Sequence, residues 1–231
     1  MLRRDLRLAA VLIATLGGVC LPLASAAAAR KMIEKPADNP QQQADELIRN
    51  LGDNAITILA DRNTDTAIKS RLFQDLMHQS FDLHTIGRFV LGRNAWQGAT
   101  TEQQKEYMRL FEKLVIKVYS DRFALYSGQR FKVVESRPEG ERDTMVKSQI
   151  VQPDENAQPI FVNWRVRNFD GRMGIIDVVV EGISMSVTQR QEYGAVIQRN
   201  DGNIEELLKL MRDQLDRQDA QDKKDAQDAK Q

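Results

Sequence analysis

The sequence predicts an α+β fold in which helices come first, a curved antiparallel sheet of about four strands follows, and two helices close the chain. Three observations carry this. Apolar residues recur at three-and-four spacing from Gln42 to Val118, they alternate with polar ones from Phe131 to Glu181, and Pro, Gly, Asp and Asn gather between the alternating blocks. A chain of 231 residues, 42% hydrophobic, is long enough to bury a substantial core. Its 33 basic and 33 acidic residues balance to a formal charge of zero, which removes the electrostatic footprint of a general nucleic-acid binder.

The first 29 residues read as a separate device. A basic head, Met1 to Arg7, precedes an apolar run from Leu8 to Leu23 and a small-residue exit, Ala24-Ser25-Ala26-Ala27-Ala28-Ala29. That order is a secretory signal peptide cut between Ala26 and Ala29, and the apolar run falls short of the roughly 20 residues that span a bilayer. An uncleaved anchor is the alternative. Cys20 follows Leu16-Gly17-Gly18-Val19, which does not fit a lipoprotein signal, so it goes with the discarded peptide. Removing three arginines and one aspartate from the balanced total leaves an exported chain of about −2 without cysteine, whose fold must rest on core burial.

Residues 30 to 41 form a flexible lead-in. Residues 30 to 215 are expected to make one domain, and 216 to 231, rich in Gln, Asp, Lys and Ala, a frayed, solvated extension of the last helix, with an interaction tail as the alternative. The first helix runs from Gln42 to Ala60 on Leu47, Ile48, Leu51, Ile58 and Leu59, and the second from Thr66 to Gln79 on Ile68, Leu72, Phe73, Leu76 and Met77. Phe81 to Leu91 is a short helix stopped by Gly92. Thr101 with Gln104 forms a capping box for a long helix reaching toward Gly128. Strands are expected from Phe131 to a Pro138-Glu139-Gly140 stop, Thr144 to Val151, Ile160 to Asn168 and Met173 to Glu181. On the third, Ile160, Val162, Trp164 and Val166 share one face and Phe161, Asn163, Arg165 and Arg167 the other. Ser184 or Ser186 caps a helix to Gln198, and Asp201-Gly202 turns into a last one from Ile204 to Leu215.

The chain carries little that resembles a reaction centre. His78 and His84 lack the neighbours of a zinc or calcium site, so no metal is expected. Gly182-Ile183-Ser184-Met185-Ser186 lacks the second glycine of a nucleophile elbow. Gly87 to Asn94 misses the phosphate-loop pattern and falls in a helix. Asp177 and Glu181 stand about 13 Å apart along a strand, too far for a glycosidase pair, and read as a solvated strand face. Arg165 and Arg167 read as ordinary exposed arginines, with contact to a phosphate or a protein partner as the alternative.

Phe81-Asp82-Leu83-His84-Thr85-Ile86-Gly87-Arg88-Phe89-Val90-Leu91-Gly92-Arg93, then Tyr107 to Tyr126, then Ile176 to Met185 with Gln189-Arg190, resembles the MlaC family of periplasmic phospholipid-binding proteins, also called toluene-tolerance proteins. The likeness runs from about Phe81 to Leu215. Trp96, in Asn94-Ala95-Trp96-Gln97, stands further from Gly92-Arg93 than the family pattern has it. The resemblance implies a sheet and helical layer enclosing a pocket for phospholipid tails. It also implies a soluble carrier that moves lipid between an outer-membrane lipoprotein complex and an inner-membrane ABC transporter complex, maintaining outer-membrane lipid asymmetry. Phospholipid is then cargo, no cofactor is needed, and a monomer in the periplasm is expected.

The physical need for such a carrier stands by itself. At about 0.8 kcal/mol per methylene, exposing an acyl chain of about 15 methylenes costs on the order of 12 kcal/mol. Tails ask only for apolar walls and volume, expected near about 1,000 Å³. The candidate lining is Val133, Val146, Ile150, Trp164, Val166, Val178 and Val180 from the sheet. Leu110, Phe111, Leu114 and Val118 come from the long helix. The rival is an exported enzyme on a cone-shaped α+β scaffold with His84 beside Asp82 as its base. A solute-binding or chaperone module is a third reading. Arg88, Arg93, Arg122 and Arg190 are all candidates for docking.

Overall fold

The computed structural model describes residues 39–61, 63–120, 126–154 and 156–228. The expected signal peptide, most of the lead-in and Arg122 lie outside the described residues, as do residues 121–125 of the expected long helix.

Asn39 opens α1 (Pro40–Ala60) by accepting from the Gln41 N–H, and Pro40 fills a first-turn position where its missing donor costs nothing. Ala44, Ile48, Leu51 and Gly52 make its buried stripe. Gly52 lies so close to the Phe131 ring that a Cβ there would stand 2.1 Å from Cδ1, so the helix rests on β1 through bare backbone. Asp65 caps α2 (Thr66–Ser80). Only its C-terminal end is covered: Leu76 and Met77 are buried, whereas Ile68 and Leu72, expected on the inner stripe, are about half exposed. Among the described residues none buries the Ile68 and Leu72 side chains, so periodicity alone overstates the buried face.

Asp82 caps α3 (Leu83–Leu91), which Gly92 ends at φ +85, a left-handed conformation that favours glycine. A further helix, α4 (Arg93–Gly98), follows, where the sequence pattern predicts no element. The capping box of α5 (Thr101–Ser120) is Thr100 with Gln103, one residue before the expected pair. The Gln103 N–H donates to Thr100 Oγ1, and Gln103 Oε1 accepts from the Thr100 N–H. Gln104 instead donates to the Trp96 and Ala99 carbonyls, tying α4 to α5.

The sheet is a meander in chain order: β1 (Arg130–Glu139), β2 (Asp143–Val151), β3 (Ile160–Phe169), β4 (Arg172–Val180) and a two-residue β5 (Ile183–Ser184), all neighbours antiparallel. Asp170 and Gly171, both at positive φ, make the tight turn between β3 and β4. β1 runs through Pro138, which was expected to stop it. An edge strand tolerates a residue without a donor, since one side of it has no partner. Bulges interrupt β1 near Val134 and the β3–β4 pairing between Arg165 and Val166.

Register sets the inner face. Val146 pairs with Trp164 and Trp164 with Val178, while Thr144 pairs with Val166 and Val166 with Ile175. On the outer face Arg165 donates to Glu139 at 2.7 Å and Arg167 grips Asp143 through two bonds of 2.7 and 2.8 Å. Ser184 caps α6 (Met185–Arg199), and α7 (Ile204–Asp228) continues as helix past Leu215 through the polar stretch. Lys117 on α5 meets Asp219 at 3.9 Å.

Two apolar clusters result. One joins α3, α5, α6 and α7 through Val90, Leu110, Phe111, Leu114 and Leu208. Tyr107 is buried in it, donating its hydroxyl to the Gly87 carbonyl at 2.9 Å, and burial pushes that phenol far above its ordinary range. The other joins α1 to the sheet through Ala44, Ile48, Val133, Val146, Val166 and Ile175.

Candidate lipid cavity

Between these clusters lies a cavity of about 380 Å³. Its floor is the last third of β4, Val178 and Val180, and α3 contributes Leu83, Ile86 and Val90. Phe111, Leu114, Val115 and Val118 come from α5, and Met185 and Tyr193 from α6. Phe81 stands at the inner end, edge-on to Trp164 at 6.4 Å, and Phe131 meets the other side of that indole at 6.3 Å. Trp164 is anchored by its own N–H, which donates to Ser148 Oγ at 2.8 Å. The indole therefore stands at the seam between the packed α1 side and the cavity.

The polar lining is Asp177 and Ser186 at one corner, Thr188 and Gln189 on α6, and Glu192 and Gln214. Asp177 Oδ1 accepts from the Val178 N–H at 2.9 Å, the Ser186 N–H at 3.1 Å and the Ser186 hydroxyl at 2.7 Å, and Oδ2 accepts from the Ser184 hydroxyl at 2.7 Å. These bonds hold the end of β4 to the first turn of α6. Asp177 is thus a fixed corner of the cavity rather than part of a solvated strand face. Exposed Glu192 and Gln214 mark the opening. The charged lining is Asp177 and Glu192 alone; no Lys, Arg or His faces the cavity among the described residues. Burial pushes the Tyr193 phenol up to about 12, so it stays neutral.

A family model described as "MlaC protein" matches residues 41–213. The chain belongs to the MlaC family. A phospholipid-binding protein from Ralstonia solanacearum, solved in complex with a phospholipid, has the same fold: TM-score 0.64, 22% identity, covering 77% of this chain and 97% of that one. The α+β class with an antiparallel sheet holds, with five strands in place of about four.

In this MlaC-family chain, the cavity brings together five of the eleven residues picked from sequence: Phe111, Leu114, Val118, Val178 and Val180. Leu110 packs into the helical cluster, and Val133, Val146 and Val166 pack against α1. Trp164 stands at the seam, and Ile150 pairs at the far end of β2 with Phe131 and Ile160. The smaller volume has the same origin, because α1 fills the inner face that the sequence offered to a ligand. Sequence reasoning missed Leu83, Ile86 and Val90, although their three-and-four spacing on α3 was visible beside the exposed His84, Arg88 and Phe89.

His84 lies on the outer side of α3, its ring edge-on to Trp96 at 6.0 Å. Asp82, its sequence neighbour, is engaged by Arg172 at 2.6 Å and by the Thr85 N–H at 2.8 Å. Burial pushes the Asp82 carboxyl up, but these bonds outweigh it and hold it below the usual carboxylate range. His78 pairs with Glu112 at 3.2 Å. No group of three metal-ligating side chains occurs among the described residues.

Proposed function

We propose that this chain is a periplasmic phospholipid carrier that holds acyl tail in the cavity between β4, α3, α5 and α6 and moves lipid between outer-membrane and inner-membrane complexes. One observation carries the reading: the cavity walls are mainly aliphatic and aromatic side chains from β4, α3 and α5, with the polar groups supplied by Asp177, by α6 and by Gln214. Its volume lies within the range of about 300–1,000 Å³ common to ligand pockets. Membership of the MlaC family and the phospholipid complex of the Ralstonia protein of like fold support lipid as the cargo.

The chemistry suits a carrier. Tail burial supplies affinity at about 0.8 kcal/mol per methylene without a directed contact, so release needs no bond to be broken. A headgroup at the mouth would meet Glu192 and Gln214 in water rather than a fixed cationic clamp. His84, the base that the rival enzyme reading would use, lines a separate groove and not this cavity.

Solvent extraction of purified protein followed by mass spectrometry tests the proposal. Phospholipid in stoichiometric amount is expected from the wild type, and a large loss from Val180→Glu with unchanged thermal unfolding. Protein that yields no phospholipid when purified from its periplasm, and takes up none from vesicles, would refute it.

A further inference from the structure

A second concavity, about 510 Å³, lies on the opposite side of α3, lined by His84, Arg88, Phe89, Arg93, Trp96 and Arg190 among others. Three arginines line it. Elsewhere Arg165, Arg167, Arg172 and Arg212 each meet a carboxylate, Arg172 also lying 4.6 Å from the centre of the Phe169 ring. In the groove the partners are rings: the Arg88 guanidinium stands 5.2 Å from the centre of Trp96 and that of Arg190 4.9 Å from the centre of Phe89. Arg93 is exposed and, among the described residues, has no ion pair, and no described Asp or Glu lines the groove. Phe89 is 43% exposed.

We propose that this groove is a docking site for an acidic segment of a protein partner. Stacking fixes a guanidinium plane while leaving its N–H edge available, and a fixed fork favours carboxylates, which it binds through two parallel bonds. All three cations that line the groove beside His84 are arginines, none lysine. Arg, Trp and Phe are also the side chains that interfaces concentrate at their centres. A concave shape suits a protruding chain segment, whereas three arginines on a chain without net positive charge give weak purchase on a flat anionic membrane. Arg190 has a structural task besides, donating to the Phe89 carbonyl at 2.7 Å and so holding α6 to the end of α3. The test therefore spares it. The groove's charge is the same whatever the cavity carries.

The experiment measures binding of a short fluorescein-labelled poly-glutamate peptide to the purified full chain by fluorescence anisotropy at low salt. Arg88→Ala with Arg93→Ala should weaken binding by about tenfold or more. Arg49→Ala with Arg71→Ala, an equal charge change on exposed faces of α1 and α2, should weaken it by less than about twofold. Should the alanine pair melt early, Arg88→Gln with Arg93→Gln removes the charge while keeping the stems. Absence of peptide binding, or equal loss in both pairs, overturns the proposal. Unchanged peptide binding with lost binding to phosphatidylglycerol vesicles overturns it too, and assigns the groove to membrane.

Discussion

Val166 and Val180 share the inner face of one sheet and are indistinguishable by residue type and alternation, yet one is sealed beneath α1 and the other lines a cavity. Val166 is 1% exposed, packed with Val146 and Ile175 under a helix that touches the sheet through Gly52. Val180 lies where α1 no longer reaches and where α3, α5 and α6 stand apart from the strand. What separates them is the backbone approach of one helix, so a close-packed region and a hollow one are built from the same side chains on the same strands.

That comparison predicts opposite outcomes for the same substitution. Val166→Glu buries a charge without a partner and should unfold the chain or cost at least about 4 kcal/mol in denaturant unfolding. Val180→Glu should leave unfolding within about 1 kcal/mol while depleting copurified phospholipid. Equal destabilisation by the two would erase the distinction. Ile48→Ala should cost about 2–4 kcal/mol and leave lipid content unchanged, since Ile48 packs only on the α1 side.

Gly52→Ala sharpens the cause. Alanine is ordinarily the better helix former by roughly 0.5–1 kcal/mol, but here its Cβ would enter the Phe131 ring, so a net loss of about 1–2 kcal/mol is expected. Combining it with Phe131→Leu should recover part of that loss, a coupling readable in a double-mutant cycle. A stabilising Gly52→Ala would show that α1 does not need its close seat.

The smallest effect lies at the seam, where the Asp82 N–H donates to the Ile175 carbonyl and Arg172 grips the Asp82 side chain. The folded-state pKa of Asp82 is depressed, so the stability it contributes is present above the usual carboxylate range and is lost as pH falls through the lowered value. Arg172→Ala should cost about 0.5–1 kcal/mol at neutral pH, and the difference from wild type should vanish in acid, measured by thermal unfolding against pH.

Much of this architecture is legible locally. Asp170-Gly171 and Gly92 end elements through backbone conformations that few other residues tolerate, and alternation from Ile160 to Val166 fixes which face is apolar. The cap at Thr100 rather than Thr101 turns on a one-residue choice between adjacent threonines with glutamines at matching spacing. Hollow and solid regions are not local properties. Nothing near Val133, Val146 or Val166 in sequence records that α1, more than 70 residues earlier, lies across them. Arg88, Arg93 and Arg190 are docking candidates in the sequence, but nothing local gathers them on one surface, because the stacking of Arg88 on Trp96 requires α4.

The nine-residue helix α3 is a party wall. Its Leu83, Ile86 and Val90 look into one room and its His84, Arg88 and Phe89 into another, with a single helix diameter of about 10 Å between them. Occupancy on one side and grip on the other are then written on the same few turns of backbone, and paired substitutions across that wall should fail to add.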